Sequence, residues 1–424
     1  MPDRWRLLIR ALGSRNYRLF FEGQFVSLIG AWMTRVATSW LVYRLTNSAL
    51  LLGLSSFAGQ IPIFFLTPLA GVWLDRWNRH RTLVVTQVLS LLQSFALAAL
   101  ALTRNITIPE IIALILFQGI VNAFDMPARQ AFVVRMIDRR EDLGNAIALN
   151  SSMVNGARLI GPAIAGILIA AVGEGYCFLI DGFSYIAVVA SLLAMRLKPE
   201  GARRERQPIT AELLEGWRYV RESWPIRSVL LLLAVVSLVG MPYTVLMPIF
   251  ARSILHGNAH TLGFLMGAAG LGALIGAVTL AMRPTVLGLG RVIVWSAGAF
   301  GVGLIDLGFS RSVWLSLLAV TIAGFGMMRN MASCNTILQT IVAEDKRGRV
   351  MAYYSMAFQG IAPFGSLIAG ALAAKVGAPW TIIGGGGLCI AGATWFARQL
   401  PGLRKVIRPI YRTMGILPAT SADM

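Results

Sequence analysis

Charged residues interrupt several apolar stretches that are otherwise long enough to cross a membrane. Arg35 and Arg158 stand well inside their stretches, and Asp125 stands toward one end of its own. A charge inside a span costs about 2.5–3.5 kcal/mol on insertion scales, so each of these residues needs a compensating role. The arginines could bind an anionic group of a ligand, and the aspartate could hold a proton or a switchable ion pair. A fixed structural pair is the competing interpretation for each.

Carboxylates within apolar stretches could also bind the driving ion of a transporter. Proton coupling needs a titratable group whose proton affinity changes with burial and with substrate. Glu22 and Asp125 are the candidates, because both lie on long predicted helices in the first half of the sequence. Asp181 and Asp306 stand nearer the ends of their stretches, and we expect them to be interfacial.

Composition places the chain among polytopic membrane proteins. Of 424 residues, 56% are hydrophobic and only 13% are charged, with a mean hydropathy of +0.68. The net charge of +19 would suggest nucleic acid in a soluble protein, but these positives stand in short loops between apolar runs. We therefore expect no nucleic-acid partner and contact with anionic membrane lipid.

No enzyme, metal or cofactor motif is apparent. The cysteines Cys177, Cys334 and Cys389 lack metal-ligand spacing, and no Walker lysine pattern occurs. The sequence therefore predicts neither an enzyme nor direct use of ATP, which leaves an ion gradient as the energy source.

Twelve apolar stretches have the length of transmembrane helices, with about 20 residues needed for each. They predict an all-α membrane protein with twelve spans. The stretches cover residues 19–44, 50–74, 82–103, 108–131, 144–171, 175–195, 228–251, 260–282, 290–309, 312–335, 349–374 and 378–397.

Basic residues concentrate in every second connection, which predicts that both termini are cytoplasmic. The expected segments are a basic N-terminus (1–18), a first six-helix half (19–196), a linker (197–227), a second six-helix half (228–398) and a tail (399–424). In the linker, Leu213, Trp217, Val220 and Trp224 recur at helical spacing before Pro225. We expect an interfacial helix there, with a partner-docking helix as the alternative.

An internal repeat supports the two halves. An offset of 204 places Gly161 on Gly365 and Gly166 on Gly370, and an offset of 210 places Gly53 on Gly263. The repeat predicts two equivalent six-helix units.

The same repeat pairs opposite charges. The offset of 204 places Asp125 on Arg329, so the two could pair across the halves when the cytoplasmic side closes and separate when it opens. The alternative ties Asp125 within its own half to Arg129, one helical turn away.

A short polar stretch, Gly71-Val72-Trp73-Leu74-Asp75-Arg76-Trp77-Asn78-Arg79-His80-Arg81, separates the second and third apolar runs. Asn78 can adopt a left-handed turn, and the arginines fix the side of the membrane. The stretch resembles the signature loop of the major facilitator superfamily, whose glycine, aspartate and two arginines match Gly71, Asp75, Arg76 and Arg79. Asn78 replaces the family's glycine and His80 its last basic residue, and Arg81 is counted with the loop.

The fifth span resembles a second family motif, that of drug/proton antiporters. Gly161, Pro162 and Gly166 fit the motif, while Ala157 and Ala165 replace expected glycines. The stretches 27–37, 125–132 and 155–163 resemble a bacterial branch of the superfamily that includes enterobactin-exporter-like and macrolide-efflux-like proteins. The resemblance to the superfamily covers residues 16–398. It implies the major facilitator fold in a bacterial inner membrane, with a substrate path between the halves.

These features together predict a proton-coupled secondary exporter of a large amphipathic small molecule, a drug or a siderophore, that works as a monomer by alternating access. The candidate cavity residues Arg35 and Arg158 favour a substrate with an anionic group. A lipid or lysophospholipid flippase on the same fold is one alternative. A non-transporting membrane sensor or scaffold is the other.

Overall fold

The chain is almost entirely helical. A computed structural model describes residues 9–197, 209–283, 285–344 and 346–413, and these residues contain helices and no strand. Twelve of the described helices are long and apolar enough to cross a membrane. The prediction of an all-α membrane protein with twelve transmembrane helices is confirmed.

The twelve long helices follow the predicted stretches closely. Their bounds are α1 (Arg15–Thr46), α2 (Ala49–Arg76), α3 (Arg79–Leu102), α4 (Ile108–Phe132), α5 (Leu143–Val172), α6 (Glu174–Leu193), α7 (Trp224–Ile254), α8 (Ala259–Ala281), α9 (Leu289–Phe309), α10 (Val313–Ile341), α11 (Arg347–Val376) and α12 (Ala378–Thr413). The linker helix (Ile209–Glu222) precedes α7. The last helix continues through Thr413, well into the segment expected to be a tail.

Two sides of the bundle are named by the segments they carry. The linker side holds the linker helix and the connections α2–α3, α4–α5, α8–α9 and α10–α11. The far side holds the connections α1–α2, α3–α4, α5–α6, α7–α8, α9–α10 and α11–α12. The linker helix packs on the second half, because the rings of Trp217 and Tyr353 lie 5.9 Å apart and Val220 is buried.

The connection between α2 and α3 differs from the expectation. Asn78 has φ −72° and caps α3, its side-chain oxygen accepting from the backbone N–H of Arg81 at 3.1 Å. The left-handed turn predicted for Asn78 is therefore wrong. An N-cap position needs an extended backbone and a short side-chain acceptor, and Asn78 supplies both.

Glycines bring the two halves into backbone contact at two related places. A Cβ placed on Gly53 of α2 would lie 2.9 Å from the Gly370 Cα of α11. One placed on Gly166 of α5 would lie 2.9 Å from the Gly263 Cα of α8. The repeat equates Gly53 with Gly263 and Gly166 with Gly370, so the two contacts are copies of one another. Any side chain there would separate the helices.

These glycine contacts lie toward the far side. The same region joins α1 to α7 through the hydroxyls of Tyr43 and Ser253, 2.7 Å apart. It also joins α2 to α11 through Ser56 and Ser366 at 3.2 Å. The halves are therefore held together at their far-side ends in this conformation.

Candidate functional site

Two arginines meet on one tryptophan in the interior of the bundle. The guanidinium of Arg35 lies 4.7 Å from the ring centre of Trp32, and that of Arg158 lies 5.7 Å from the same ring. Arg35 and Trp32 belong to α1, and Arg158 belongs to α5. The structure thus brings together the two residues that the sequence proposed for a substrate cavity.

Close packing of α5 on α1 produces this arrangement. A Cβ on Gly161 would lie 2.6 Å from the Trp32 Cβ and 3.0 Å from the Ile29 carbonyl oxygen. Pro162 and Gly166 turn toward α8 instead, where a Cβ on Gly263 would lie 2.7 Å from the Pro162 carbonyl oxygen. The antiporter-like residues Gly161, Pro162 and Gly166 therefore hold α5 between the first helix and the second half.

The arginine pair borders the space between the halves. Arg158 interacts electrostatically with Tyr243 of α7, and Arg35 interacts with Arg158. Arg35 is exposed although it stands near the middle of α1, and through Arg158 it lies on the side of α1 that is nearest to Tyr243 of the second half. Within the described ranges, neither guanidinium forms an ion pair with a carboxylate. Two adjacent positive charges without an acidic partner form a site suited to an anionic group.

The exposure of residues along one face of α1 shows where the space between the halves opens. Arg18, Glu22 and Val26 are exposed on the linker side, whereas Val36 and Trp40, farther along the same face, are buried. Val36 and Trp40 join the same apolar cluster as residues of α7. The candidate Glu22 thus stands on the open, linker-side part of the face, and within the described part of the chain it forms no ion pair.

Asp125 is buried in a polar cluster of the first half. Its carboxylate accepts from Thr86 Oγ1 at 2.9 Å and from Gln87 Nε2 at 2.7 Å, and it forms an ion pair with Arg129. The pairing observed is therefore the one within its own half. Arg329 instead lies over the Phe325 ring at 5.4 Å, and its Nε has no hydrogen-bond partner.

Asp181 is the residue that sequence reasoning misplaced. Asp181 is 1% exposed, and it packs against Gly30, halfway along α1. Thr34 Oγ1 donates to Asp181 Oδ2 at 2.8 Å, and Ser94 Oγ donates to the same oxygen at 2.9 Å. The expectation that Asp181 is interfacial is wrong. Glycine at position 30 and small hydroxyls on α1 and α3 were the available signals, since they leave room for a carboxylate between helices.

The polar stretch between α2 and α3 is described in part. The burial of Gly71 and the side chains of Asp75 and Arg76 lie outside what the structure describes, whereas Arg79 is half-buried and Arg81 is exposed. Two contacts fix the stretch to the rest of the first half. A ring nitrogen of His80 lies 2.8 Å from the Leu192 carbonyl oxygen of α6, and Trp73 stacks on Phe124 of α4 at 5.7 Å.

Within the described ranges, His, Cys, Asp and Glu side chains form no group able to hold a metal ion. The three cysteines are buried and are not in disulfides.

Comparison with known proteins adds a family and a fold. The family model described as transmembrane secretion effector matches residues 10–408. The staphyloferrin A transporter of Staphylococcus aureus is 26% identical over 389 residues, covering 90% of this chain and 96% of that protein. The multidrug efflux pump Tap of Mycolicibacterium fortuitum is 26% identical, covering 82% of this chain and 87% of the pump. The enterobactin exporter EntS of Citrobacter koseri is also 26% identical, covering 89% and 90%.

Solved structures share the fold at lower sequence identity. The nucleoside transporter NupG superposes with a TM-score of 0.69 at 12% identity, covering 91% of this chain and 99% of that one. A bacterial homologue of the iron transporter ferroportin, in an inward-facing state, gives 0.69 at 15% identity, covering 91% and 98%. At these identities the likeness establishes the fold alone.

Proposed function

The chain belongs to the transmembrane secretion effector family of the major facilitator superfamily, and we propose that it exports a large amphipathic small molecule that carries an anionic group. Proteins of this type are secondary transporters and not enzymes. The names of the relatives, which include siderophore transporters and a drug efflux pump, support a substrate of the siderophore or drug class.

The observation that carries the proposal is the arginine pair on Trp32. Two guanidiniums share one aromatic face, with Tyr243 of the other half nearby. A planar anionic group could accept hydrogen bonds from both guanidiniums, and the apolar body of the substrate could pack on the aromatic rings. Binding at this place would bridge α1, α5 and α7, and therefore both halves.

Alternating access is the proposed mechanism. The glycine contacts close the far side, and the exposed face of α1 supports entry from the linker side. With both termini cytoplasmic, as the basic loops predict, substrate would enter from the cytoplasm and leave after the far side opens. We propose a single chain as the working unit, in contact with anionic lipid at its basic linker side.

Asp125, Arg129 and Arg329 form the proposed linker-side gate. Asp125 now pairs with Arg129, and Arg329 stands at the equivalent place of the second half with an unpartnered Nε. Closure of the linker side would let Asp125 pair with Arg329, either in place of Arg129 or together with it. Protons are the proposed counter-ion, and Glu22 is exposed on the entry face, where it could take part in proton uptake.

The test is transport into inside-out proteoliposomes under an imposed proton gradient. The panel contains a catecholate siderophore, a hydroxamate siderophore, a macrolide, a cationic dye and a labelled lysophospholipid. We expect the wild type to take up an anionic amphiphile. This uptake should fall at least about tenfold in Arg35→Gln and in Arg158→Gln, because each variant loses one hydrogen bond to a charged group. Arg104→Gln is the matched control, because Arg104 is an exposed arginine in the far-side loop after α3.

Three results would contradict the proposal. Equal uptake by the wild type and both arginine variants would remove the anion site. Movement of lysophospholipid without a proton gradient, with no uptake of the other compounds, would establish a flippase instead. Unchanged cellular activity of the arginine variants, with loss on deletion of the linker helix, would favour a sensor or scaffold.

A further inference from the structure

Asp181 is a buried carboxylate that the proposed transport cycle does not yet use. It is held between three helices, with Thr34 of α1 and Ser94 of α3 both donating to Oδ2. Its other oxygen, Oδ1, is buried without a hydrogen-bond partner. A Cβ on Gly30 would lie 2.6 Å from Oδ1, so the missing side chain at position 30 is what admits this oxygen.

The groups that face Asp181 are neutral. They are Gly30 and Thr34 from α1, Ser94 from α3, and Cys177, Ser184 and Tyr185 from its own helix. No arginine, lysine or histidine of the described ranges forms an ion pair with it. Asp125 is the opposite case, since it pairs with Arg129 and accepts from two more donors. A carboxylate that lacks a cation is suited to binding and releasing a proton, whereas an ion-paired one is suited to staying charged.

A row of buried polar side chains on α3 connects the two carboxylates. The row follows one face of α3. It begins beside Asp125 of α4 and ends beside Asp181 of α6, and Tyr185 of α6 lies between the two carboxylates. Its α3 members are Thr86, Gln87, Ser90, Gln93 and Ser94, all at most 5% exposed. Tyr185 interacts with Ser90 and, electrostatically, with both carboxylates. Gln87 and Ser94 are two helical turns apart, so the row spans about 10 Å of membrane depth.

The second half shows that the fold does not require this carboxylate. The repeat places Gly385 at the position of Asp181 and Cys389 at the position of Tyr185. The equivalent helices α7 and α12 still pack closely there, because a Cβ on Gly240 would lie 3.0 Å from Cys389 Sγ. A six-helix half therefore closes without an acid at this place, and Asp181 needs another reason to be present.

We propose that Asp181 is the proton-binding carboxylate of the transport cycle and that α1 links it to the substrate site. The proposal rests on the proposed proton-coupled export. Proton binding forms one O–H bond on the carboxylate and removes its negative charge, and proton release reverses both changes. Thr34, which holds Asp181, is followed in α1 by Arg35, so loading or unloading the proton shifts the helix that carries the anion site. The α3 row and Tyr185 provide a route toward the linker side.

The experiment measures both substrate and protons in proteoliposomes that contain a pH dye, using the anionic compound transported best by the wild type. We expect Asp181→Asn to keep exchange of labelled for unlabelled substrate while its substrate-driven proton movement falls at least tenfold. Asp306→Asn, a half-buried carboxylate of α9, is the matched control and should keep both activities. Infrared difference spectra should also lose the band of a protonated carboxylic acid in Asp181→Asn.

A milder variant covers the case in which Asp181→Asn fails to fold. Thr34→Val removes one donor to Asp181 and should move the pH midpoint of transport. Thr244→Val removes the equivalent hydroxyl of the second half, which donates to the Met241 carbonyl oxygen of its own helix, and should leave the midpoint unchanged.

The outcomes separate the two proposals. A wild type that moves substrate without protons would end both the proton coupling and the role of Asp181. A wild type that moves protons, with Asp181→Asn doing so equally well, would overturn only the assignment to Asp181. Loss of proton movement in Asp125→Asn together with its retention in Asp181→Asn would transfer the role to Asp125.

Discussion

The two halves repeat one six-helix plan around different interiors. In the first half, α3 turns Ser90 and Ser94 inward, toward Tyr185 and Asp181. In the second half, the repeat places Phe300 and Leu304 at these two positions of α9, and both are fully buried. Asp306 is the one carboxylate inside the six long helices of the second half, and it is only half-buried.

This difference distinguishes the features that the fold requires from the features that serve function. Features shared by both halves are those that the fold needs, such as the crosswise glycine contacts between α2 and α11 and between α5 and α8. Features present in one half alone, such as Asp181 and the polar row on α3, exceed the needs of packing. The first half accordingly holds the proposed proton site, and the second half serves mainly as the packing partner against which the first half moves.

The largest expected effect tests whether Asp125 of the first half and Arg329 of the second half interact at the linker side. Asp125→Asn and Arg329→Gln should each slow transport about tenfold, and the double variant should be no slower than either. Such non-additive behaviour indicates that the two residues act together in one state of the cycle. A double variant about a hundredfold slower would show independent roles and would contradict the gate. Rates are to be normalised to folded protein.

A smaller effect compares neighbouring glycines of the second half. A Cβ on Gly386 would lie 2.6 Å from the Gly301 carbonyl oxygen, whereas one on Gly384 would have no neighbour within 4 Å. Gly386→Ala should therefore lower stability by about 1–3 kcal/mol through overpacking. It should lower the midpoint of thermal unfolding in detergent, and an unchanged midpoint would contradict the packing of α12 on α9.

The smallest effect has the opposite sign. Gly384→Ala should be neutral or stabilising by up to about 1 kcal/mol, because alanine restricts the unfolded chain and favours the helix. The same thermal measurement checks it. A marked loss of stability would show that the open space beside Gly384 is needed for packing or bending.

Hydropathy and the repeat were sufficient to predict the fold. Spans of about 20 apolar residues leave a bilayer few alternatives to a helix. The repeat also paired Gly53 with Gly263 and Gly166 with Gly370, and these four glycines prove to contact one another across the halves. The pattern could not indicate that crosswise contact, because it depends on how each helix is rotated against its neighbour.

The candidate site was predictable only in part. Depth along the span identified Arg35 and Arg158, but their shared contact with Trp32 depends on the close approach that Gly161 permits. Depth along the span does not predict the surroundings of Asp181, because closeness to the start of α6 does not mean closeness to water. Burial is set by the neighbouring helices, and α1 packs its midpoint against this residue.

The central claim is that the arginine pair selects an anionic substrate, and binding of one matched pair of ligands tests it most directly. The ligands are an amphipathic carboxylate that the protein transports and its methyl ester, titrated calorimetrically into purified protein. We predict that the wild type binds the acid at least about tenfold more tightly than the ester and that Arg35→Gln with Arg158→Gln brings the ratio close to one. Equal affinities of the wild type for acid and ester would contradict the account.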